Sequence, residues 1–310
     1  MRLKGVLVAV LLVFLMVALL VITIPTFRSL DRVCRQAGGG QAGHNSNIKG
    51  GVSPARLPLR KPIVKPTIDL PSNTLNLKST NPVTADKWAV IIGISDYFGT
   101  QSDLKYCDDD ALDVYNALTT IYGFPPDQVV LLLDSMATTA NIQASIDWLI
   151  ANEGPNSTVV FYYSGHGSRA LRGDTDRELI DESIVPWELS RIYDGELALK
   201  FKTLESSKVW VGFDSCYAGG MDDVGITGLN RIDTQACGET QLSYESNPLQ
   251  NGYFTYFMID AAMLQGKADA NGDGVVSIEE AFKYAKNSMR SLRLRQRLEI
   301  SDRYPGEMIL

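Results

Sequence analysis

The sequence predicts an α/β fold in which an open, mostly parallel sheet carries helices on both faces, a three-layer arrangement. From Lys87 onward, strand-like and helix-like segments alternate, as is typical of such sheets. Two strand-like runs, which begin at Thr158 and Val209, are rich in β-branched and aromatic residues, as buried strands are. Each run ends in a glycine-rich segment that carries a reactive residue, His166 or Cys216. Ligands of open α/β sheets bind beyond the carboxyl ends of parallel strands, so the two residues are expected to face each other.

Residues 5–24 form an apolar stretch without a charged residue. At about 1.5 Å per residue, this stretch is long enough to cross a hydrocarbon core of about 30 Å. We therefore expect residues 1–30 to be an uncleaved transmembrane anchor, with a cleaved signal peptide or a buried core helix as alternatives. The expected location is a single-pass membrane protein with its catalytic domain outside the cytoplasm, or a secreted protein if the segment is cleaved.

Residues 31–86 are rich in Gly, Pro, Asn and Ser and show neither helical nor strand periodicity. This composition predicts a flexible linker, whose r.m.s. reach is on the order of 40 Å. The remaining residues, 87–310, are numerous enough to form one compact domain with a sizeable core.

The predicted elements of that domain follow in chain order. Strands are expected at 88–94, 128–133, from Thr158, from Val209 and at 231–237, with a short apolar run at 183–186. Helices are expected at 110–122, 139–151, 197–204, 254–264 and 278–290.

Charge is distributed unevenly along the chain, whose formal net charge is −7. The first 86 residues are basic and the predicted domain is acidic, so nucleic acid is not an expected partner, whereas cations and basic peptides are. The chain contains four cysteines, at positions 34, 107, 216 and 237. That number does not form a disulfide framework in a chain of this length.

Cys216 and His166 form a candidate nucleophile and general base, because imidazole is the usual partner that activates a thiol. The only other histidine, His44, lies in the predicted linker. The amides of Gly167 and Cys216 could stabilise an oxyanion. The alternative is a buried structural cysteine with an ordinary surface histidine. Ser215 is less suited as the nucleophile because strand alternation points it away from the face used by Cys216.

The stretch 269–280, DANGDGVVSIEE, matches the pattern of a calcium-binding EF-hand loop. Carboxylate, amide, hydroxyl and carbonyl oxygens fall at the required positions in Asp269, Asn271, Asp273, Val275, Ser277 and Glu280. An Asx-rich turn that caps the following helix is the alternative. If calcium binds, we expect a Kd on the order of 0.1–1 mM, as in extracellular modules.

Four motifs follow one another along the chain: a first strand followed by Tyr97, then Cys-Asp-Asp-Asp-Ala at 107–111, Tyr-Ser-Gly-His-Gly at 163–167 and Asp-Ser-Cys at 214–216. Their order and spacing resemble those of caspase-like cysteine peptidases, most of all metacaspases and their prokaryotic relatives. The resemblance covers residues 87–290 and implies a caspase-like fold. Two departures are visible: the cysteine motif is not the Gln-Ala-Cys of animal caspases, and Tyr217-Ala218 replaces the His-Ser that commonly follows the metacaspase cysteine.

The resemblance implies an endopeptidase that works through a Cys216 and His166 dyad and needs no organic cofactor. It also implies an acidic pocket, formed by Asp110, Ser164 and Asp214, for an Arg or Lys before the cut bond. Asp110 could instead cap the nearby helix.

An activating Ca²⁺ is implied as well. Its ligands would be carboxylates in the loops after the histidine and the cysteine, at Asp181, Asp194 and Asp222 or Asp223. The alternative for these acids is a solvated acidic loop.

We therefore expect a membrane-tethered, calcium-stimulated cysteine endopeptidase whose substrates are proteins or peptides with a basic residue before the cut. One competing hypothesis is a catalytically silent caspase-like module that binds partners. The other is a calcium-dependent structural or adhesion domain, which would have no use for Cys216 and His166.

Overall fold

The computed structural model of the chain describes residues 86–174, 178–226, 228 and 230–310. The predicted membrane anchor lies outside these residues, and so does the predicted linker apart from its last residue. Within the described part of the chain, no helix is both long and apolar enough to cross a membrane.

A six-stranded sheet forms the centre of the domain, in the spatial order β11-β8-β7-β3-β1-β2. Neighbouring strands are parallel except β11, which pairs antiparallel with β8 at one edge. The strands are β1 (Lys87–Gly93), β2 (Val129–Leu133), β3 (Thr158–Ser164), β7 (Val209–Asp214), β8 (Arg231–Gln235) and β11 (Glu299–Asp302). The predicted mixed α/β fold with a mostly parallel sheet is therefore confirmed.

Helices cover both faces of this sheet. They are α1 (Cys107–Thr120), α2 (Thr139–Asn152), α3 (Asp194–Phe201), α4 (Asp222–Ile226), α5 (Tyr253–Thr255), which continues as a π-helix (Tyr256–Leu264), and α6 (Ile278–Ser291). Three single turns of 3₁₀-helix lie between elements, at Pro126–Gln128, Asp134–Met136 and Ala218–Met221.

Strand alternation divides the core into two apolar clusters, one on each face of the sheet. Val160 and Tyr162 of β3 point toward α1, the π-helix and α6, whereas Val159 and Phe161 point toward α2 and α3. All seven residues of β3 are buried, which is why its sequence shows an unbroken apolar run rather than alternation.

Two small antiparallel sheets lie outside the central one, and neither was predicted. The first consists of β4 (Gly167–Leu171), β5 (Ile180–Ile184) and β6 (Ile192–Tyr193), and the second of β9 (Glu245–Ser246) and β10 (Asn251–Gly252). These strands are short or polar and show little periodicity of their own. Whether their residues form strands is therefore determined by pairing with other segments of the chain.

Several predicted boundaries were wrong by two to three residues. The first helix begins at Cys107 rather than 110, and the helix predicted at 197–204 is α3, which begins at Asp194. The strand predicted to reach position 237 ends at Gln235. Both helices begin with an acidic first turn, and such polar residues were assigned to the preceding loops. Carboxylates in fact stabilise the N-terminal end of a helix.

Candidate active site

The carboxyl ends of β3 and β7 lie at the same level of the sheet. Their parallel register pairs Ser164 with Asp214, and the Gly165 amide donates to the Asp214 carbonyl at 3.2 Å. Because the two strands are hydrogen-bonded neighbours, the residues that follow them emerge side by side.

The two loops touch directly where Gly167 meets Cys216. An ideal Cβ placed on Gly167 would lie 1.9 Å from the Cys216 carbonyl oxygen and 3.1 Å from its amide nitrogen. A glycine is therefore required here by close backbone approach. His166 and Cys216 are both buried, with 5% and 8% of their surface exposed.

Several contacts hold the His166 side chain and backbone in place. Its Nε2 lies 2.7 Å from the Ser102 carbonyl oxygen, and its ring packs on the Tyr97 ring with centroids 4.7 Å apart. Its backbone amide donates to Tyr97 Oη at 2.8 Å, and Tyr163 Oη donates to its carbonyl at 2.7 Å. A carbonyl oxygen only accepts hydrogen bonds, so Nε2 carries the proton and Nδ1 remains the basic nitrogen.

Cys216 lies at a sharp turn after β7. The next residue, Tyr217, has the left-handed φ of 61°, and its amide donates to the Gln241 carbonyl at 2.8 Å. The Arg169 guanidinium packs over the Tyr217 ring at 4.6 Å. Non-glycine residues rarely adopt this backbone conformation, so the surrounding contacts hold the turn that presents the thiol.

The three residues assigned to the acidic pocket come together beneath this turn. Ser164 Oγ donates to Asp110 Oδ2 at 2.8 Å. A Cβ placed on Gly252 would lie 2.2 Å from Asp214 Oδ2 and 3.1 Å from Asp110 Oδ2, so both carboxylates approach the same backbone position. Asp110 belongs to the first turn of α1, but its carboxylate turns to these partners and to the Gly252 amide, which donates at 2.9 Å.

Burial raises the pKa of both pocket carboxyls. For Asp110 the pKa lies well above its usual range because of desolvation first and the nearby Asp214 charge second. Desolvation also raises the pKa of Asp214, while hydrogen bonds from Ser243 and Thr255 oppose that rise. Two buried carboxylates at close range make a site that favours a cation.

The pocket contains residues that sequence reasoning missed. Asn251 Nδ2 donates to Asp110 Oδ1 at 2.9 Å, Ser243 Oγ to Asp214 Oδ1 at 2.6 Å, and Thr255 Oγ1 to Asp214 Oδ2 at 2.7 Å. Glu245 lies at the rim, where the amides of residues 105 and 106 donate to its carboxylate at 3.1 and 2.7 Å. Ser243, Glu245 and Asn251 lie in a loop and in two-residue strands without a motif. Thr255 ends the short helix α5, and no local signal marked it as a pocket residue.

A cluster of acidic side chains, here called the carboxylate cluster, lies beside α3 and the β4–β5 hairpin. It contains two groups of three whose ligand oxygens all lie within 4.8 Å of one another: Asp174, Asp181 and Asp194, and Glu178, Glu182 and Asp194. Asp181 and Asp194 are thus brought together as expected. Among the described residues, neither Asp222 nor Asp223 belongs to these groups, and their expected role as calcium ligands stays a prediction. The charges of Asp223, Glu299 and Glu239 instead surround Asp222 and, after desolvation, raise its pKa.

Glu182 connects this cluster to the loop that follows Cys216. Its carboxylate packs against Gly220, where a Cβ would lie 2.2 Å from Oε2. Burial, followed by the charges of Glu239 and Glu178, raises the pKa of Glu182 to about 8, although Arg169 acts in the opposite direction.

The stretch 269–280 forms a closed turn that leads into α6. The Asp269 carboxylate accepts from the amides of Gly272 and Gly274 at 2.8 and 3.1 Å, and both glycines have positive φ. Ser277 and Glu280 form a reciprocal capping box at the start of α6, and Glu280 Oε1 also accepts from the Ala270 amide at 3.0 Å. These hydrogen bonds are those of an Asx-rich capping turn, and calcium binding by Asp269, Asn271, Asp273, Val275, Ser277 and Glu280 stays a prediction.

Comparison with known proteins agrees with this geometry. Residues 87–225 match the family model of the metacaspase, peptidase C14 domain. Metacaspase-1 of Saccharomyces cerevisiae is 33% identical over 156 residues, which cover 46% of this chain and 36% of the relative. Metacaspase-4 of Arabidopsis thaliana is 33% identical over 145 residues, which cover 44% of this chain and 34% of the relative. The chain thus spans about a third of the length of these curated relatives.

A solved structure shares the fold at low sequence identity. The crystal structure of protein GSU0716 from Geobacter sulfurreducens superimposes with a TM-score of 0.54 and 17% identity, covering 72% of this chain and 97% of that one.

The fold thus brings a cysteine and a histidine to adjacent strand ends, close to an acidic pocket. Residues 87–225, a little under half of the chain, are similar to the metacaspase, peptidase C14 domain, and the relatives compared above are metacaspases.

Proposed function

We propose that this chain is a calcium-stimulated cysteine endopeptidase that hydrolyses peptide bonds after Arg or Lys through Cys216 and His166. The observation that carries the specificity is the convergence of the Asp110 and Asp214 carboxylates on Gly252, with Asp214 only two residues before Cys216.

In the proposed reaction, His166 Nδ1 takes the proton of the Cys216 thiol, and the thiolate attacks the carbonyl carbon of the scissile bond. The amides of Gly167 and Cys216 stabilise the oxyanion that forms. The C–N bond then breaks as His166 returns the proton to the leaving amine, which leaves an acyl group on Cys216. Water, deprotonated by His166, hydrolyses this thioester and regenerates the thiol.

The pocket favours a basic side chain for an electrostatic reason. A guanidinium or ammonium group would compensate the two buried charges and form charge-assisted hydrogen bonds with them. The Glu245 carboxylate, whose pKa is raised by desolvation and in part by the Asp214 charge, adds negative potential at the rim. An acidic side chain would be repelled by all three groups.

The residues of the carboxylate cluster fit a calcium ion. Calcium takes 6–8 oxygen ligands at about 2.3–2.6 Å, so oxygens that share one ion lie no more than about 5 Å apart. The group of Asp174, Asp181 and Asp194 meets that spacing. Bound calcium would supply positive charge that neutralises these carboxylates. The contact of Glu182 with Gly220 connects the carboxylate cluster to the loop that follows Cys216. Asp181→Ala should accordingly lower kcat in calcium.

We also propose that residues 1–30 tether the enzyme to a membrane with the peptidase domain outside the cytoplasm. Fractionation of cells that express the full chain tests this. Full-length protein in the soluble fraction, with its N-terminus removed, would indicate a cleaved signal instead.

The central experiment is covalent labelling of the full chain with an acyloxymethyl ketone probe that ends in Arg. We expect calcium-dependent labelling of Cys216, much weaker labelling with the matching Asp probe, and no labelling of Cys216→Ala or His166→Ala. Circular dichroism checks that both variants remain folded. Absence of labelling in the folded parent would support a catalytically silent binding module. If calcium still raises the melting temperature of that unlabelled protein, the result would support a calcium-dependent structural domain.

A further inference from the structure

The carboxylate cluster offers two overlapping groups of ligands rather than one. Its two groups share only Asp194, so the remaining ligands divide into Asp174 with Asp181 on one side and Glu178 with Glu182 on the other. Asp194, Asp181 and Glu182 are 0%, 1% and 1% exposed. Side chains so deeply buried are not a solvated acidic surface.

Glu182 supplies a second, independent observation. Both of its carboxylate oxygens are inaccessible to solvent, and neither has a hydrogen-bond partner among the residues that the structure describes. The cross-strand neighbour Arg169 contributes positive charge, but its guanidinium packs over the Tyr217 ring. A buried carboxylate without a hydrogen-bond donor is costly, and a bound cation is one of the few partners that compensate it. Both observations point toward the space that Glu182 shares with Glu178 and Asp194.

We propose that Glu178, Glu182 and Asp194 hold a second divalent cation, adjacent to the ion held by Asp174, Asp181 and Asp194, with Asp194 as the shared ligand. The proposal extends the calcium stimulation proposed above. All five ligand side chains are carboxylates, whose oxygens suit calcium rather than a metal that prefers nitrogen or sulfur.

The second position also has a direct path to the active site. Glu182 packs on Gly220, which lies in the 3₁₀ turn Ala218–Met221 immediately after Cys216 and Tyr217. A cation that holds the Glu182 carboxylate would therefore hold the backbone that presents the thiol. The three atoms nearest to a Cβ placed on Gly220 all belong to Glu182.

The test measures calcium stoichiometry by isothermal titration calorimetry on the full chain in a Cys216→Ala background, so that the result does not depend on peptidase activity. Any ion at 269–280 contributes equally to all variants and cancels in the comparison. Relative to Cys216→Ala alone, Glu182→Gln and Glu178→Gln should each lose one equivalent, and Asp194→Asn should lose two. Glu178 is exposed, so its variant tests the proposal even if a substitution at Glu182 prevents folding.

Glu196→Gln is the matched control. Glu196 is an exposed acid on α3 that belongs to neither group. It lies near the cluster, since desolvation and then the Asp174 charge raise its pKa. The variant should keep the parent stoichiometry. A second measurement is the melting temperature in chelator at a pH above 8, where the Glu182 carboxyl is ionised. It should be higher for Glu182→Gln than for the parent because an uncompensated charge is removed. The proposal is overturned if Glu182→Gln and Glu178→Gln bind as many ions as the parent. It is overturned equally if Asp194→Asn loses no more than they do, or if the parent binds no calcium at the cluster. A failed probe-labelling experiment with normal stoichiometry would reject the peptidase and leave the second ion standing.

Discussion

Gly167→Ala tests whether the two strand ends must touch for catalysis. The new Cβ would lie 1.9 Å from the Cys216 carbonyl oxygen, whereas Cβ atoms essentially never come closer than 3.0 Å to a neighbour. The obstacle is backbone rather than a flexible side chain, so the two loops must separate by about 1 Å, and a displacement of that size costs on the order of 100-fold in rate. Overpacking of this kind destabilises a fold by only about 1–3 kcal/mol. We therefore expect kcat/KM to fall about 100-fold while the protein stays folded at the assay temperature.

The assay follows release of a fluorophore from a peptide that ends in Arg, with folding checked by thermal denaturation. Gly154→Ala is the matched control, since no atom lies within 4 Å of its added Cβ and its φ is not positive. That variant should match the parent in both measurements. A Gly167→Ala enzyme within threefold of the parent kcat/KM would refute the close approach as a catalytic requirement.

Three further predictions concern the pocket and the capping turn. Asp214→Asn should lower kcat/KM for an Arg peptide by about 10- to 100-fold, which corresponds to the loss of one hydrogen bond to a charged group. An equal loss for a Gln peptide would contradict the pocket assignment. Because the pKa of Asp110 and Asp214 is raised, acidification through that raised range should protonate them and reduce activity on Arg peptides. A raised carboxyl pKa means that protonation favours the folded state, so protonation of these two groups should not lower the melting temperature over the same pH range. If the protein unfolds as activity falls, protonation of the pocket is not the cause of the lost activity. Glu280→Ala should lower the free energy of unfolding in chelator by about 1–3 kcal/mol, because the capping box and a buried acceptor are lost. The control is Glu307→Ala at an exposed site, whose melting temperature should lie within about a degree of the parent's.

Local sequence determined the elements that deliver the dyad. The runs from Thr158 and Val209 consist mostly of apolar and aromatic residues, as strands buried on both faces do. Parallel strands of this kind place their carboxyl ends at one edge of the sheet. His166 and Cys216 could therefore be found without a structure, as could Asp214, which ends β7 itself.

Other parts of the site were decided by pairing between distant segments. Asn251 and Gly252 lie some 140 residues after Asp110, and only the packing of a two-residue strand against α1 brings them to its carboxylate. The same holds for Glu245, which no periodicity or motif distinguishes from other loop acids.

The carboxylate cluster shows this division most clearly. The sequence suggested Asp181 and Asp194 together with Asp222 or Asp223, whereas the groups of close carboxylates in the described residues contain Asp174, Glu178 and Glu182 beside them. The difference arises because the β4–β5 hairpin, which the sequence does not predict, sets the register of Asp181 and Glu182 opposite Ala170 and Arg169. In a strand, a shift by one residue reverses the face of every side chain, so the ligands of a cluster can be assigned only once that register is known.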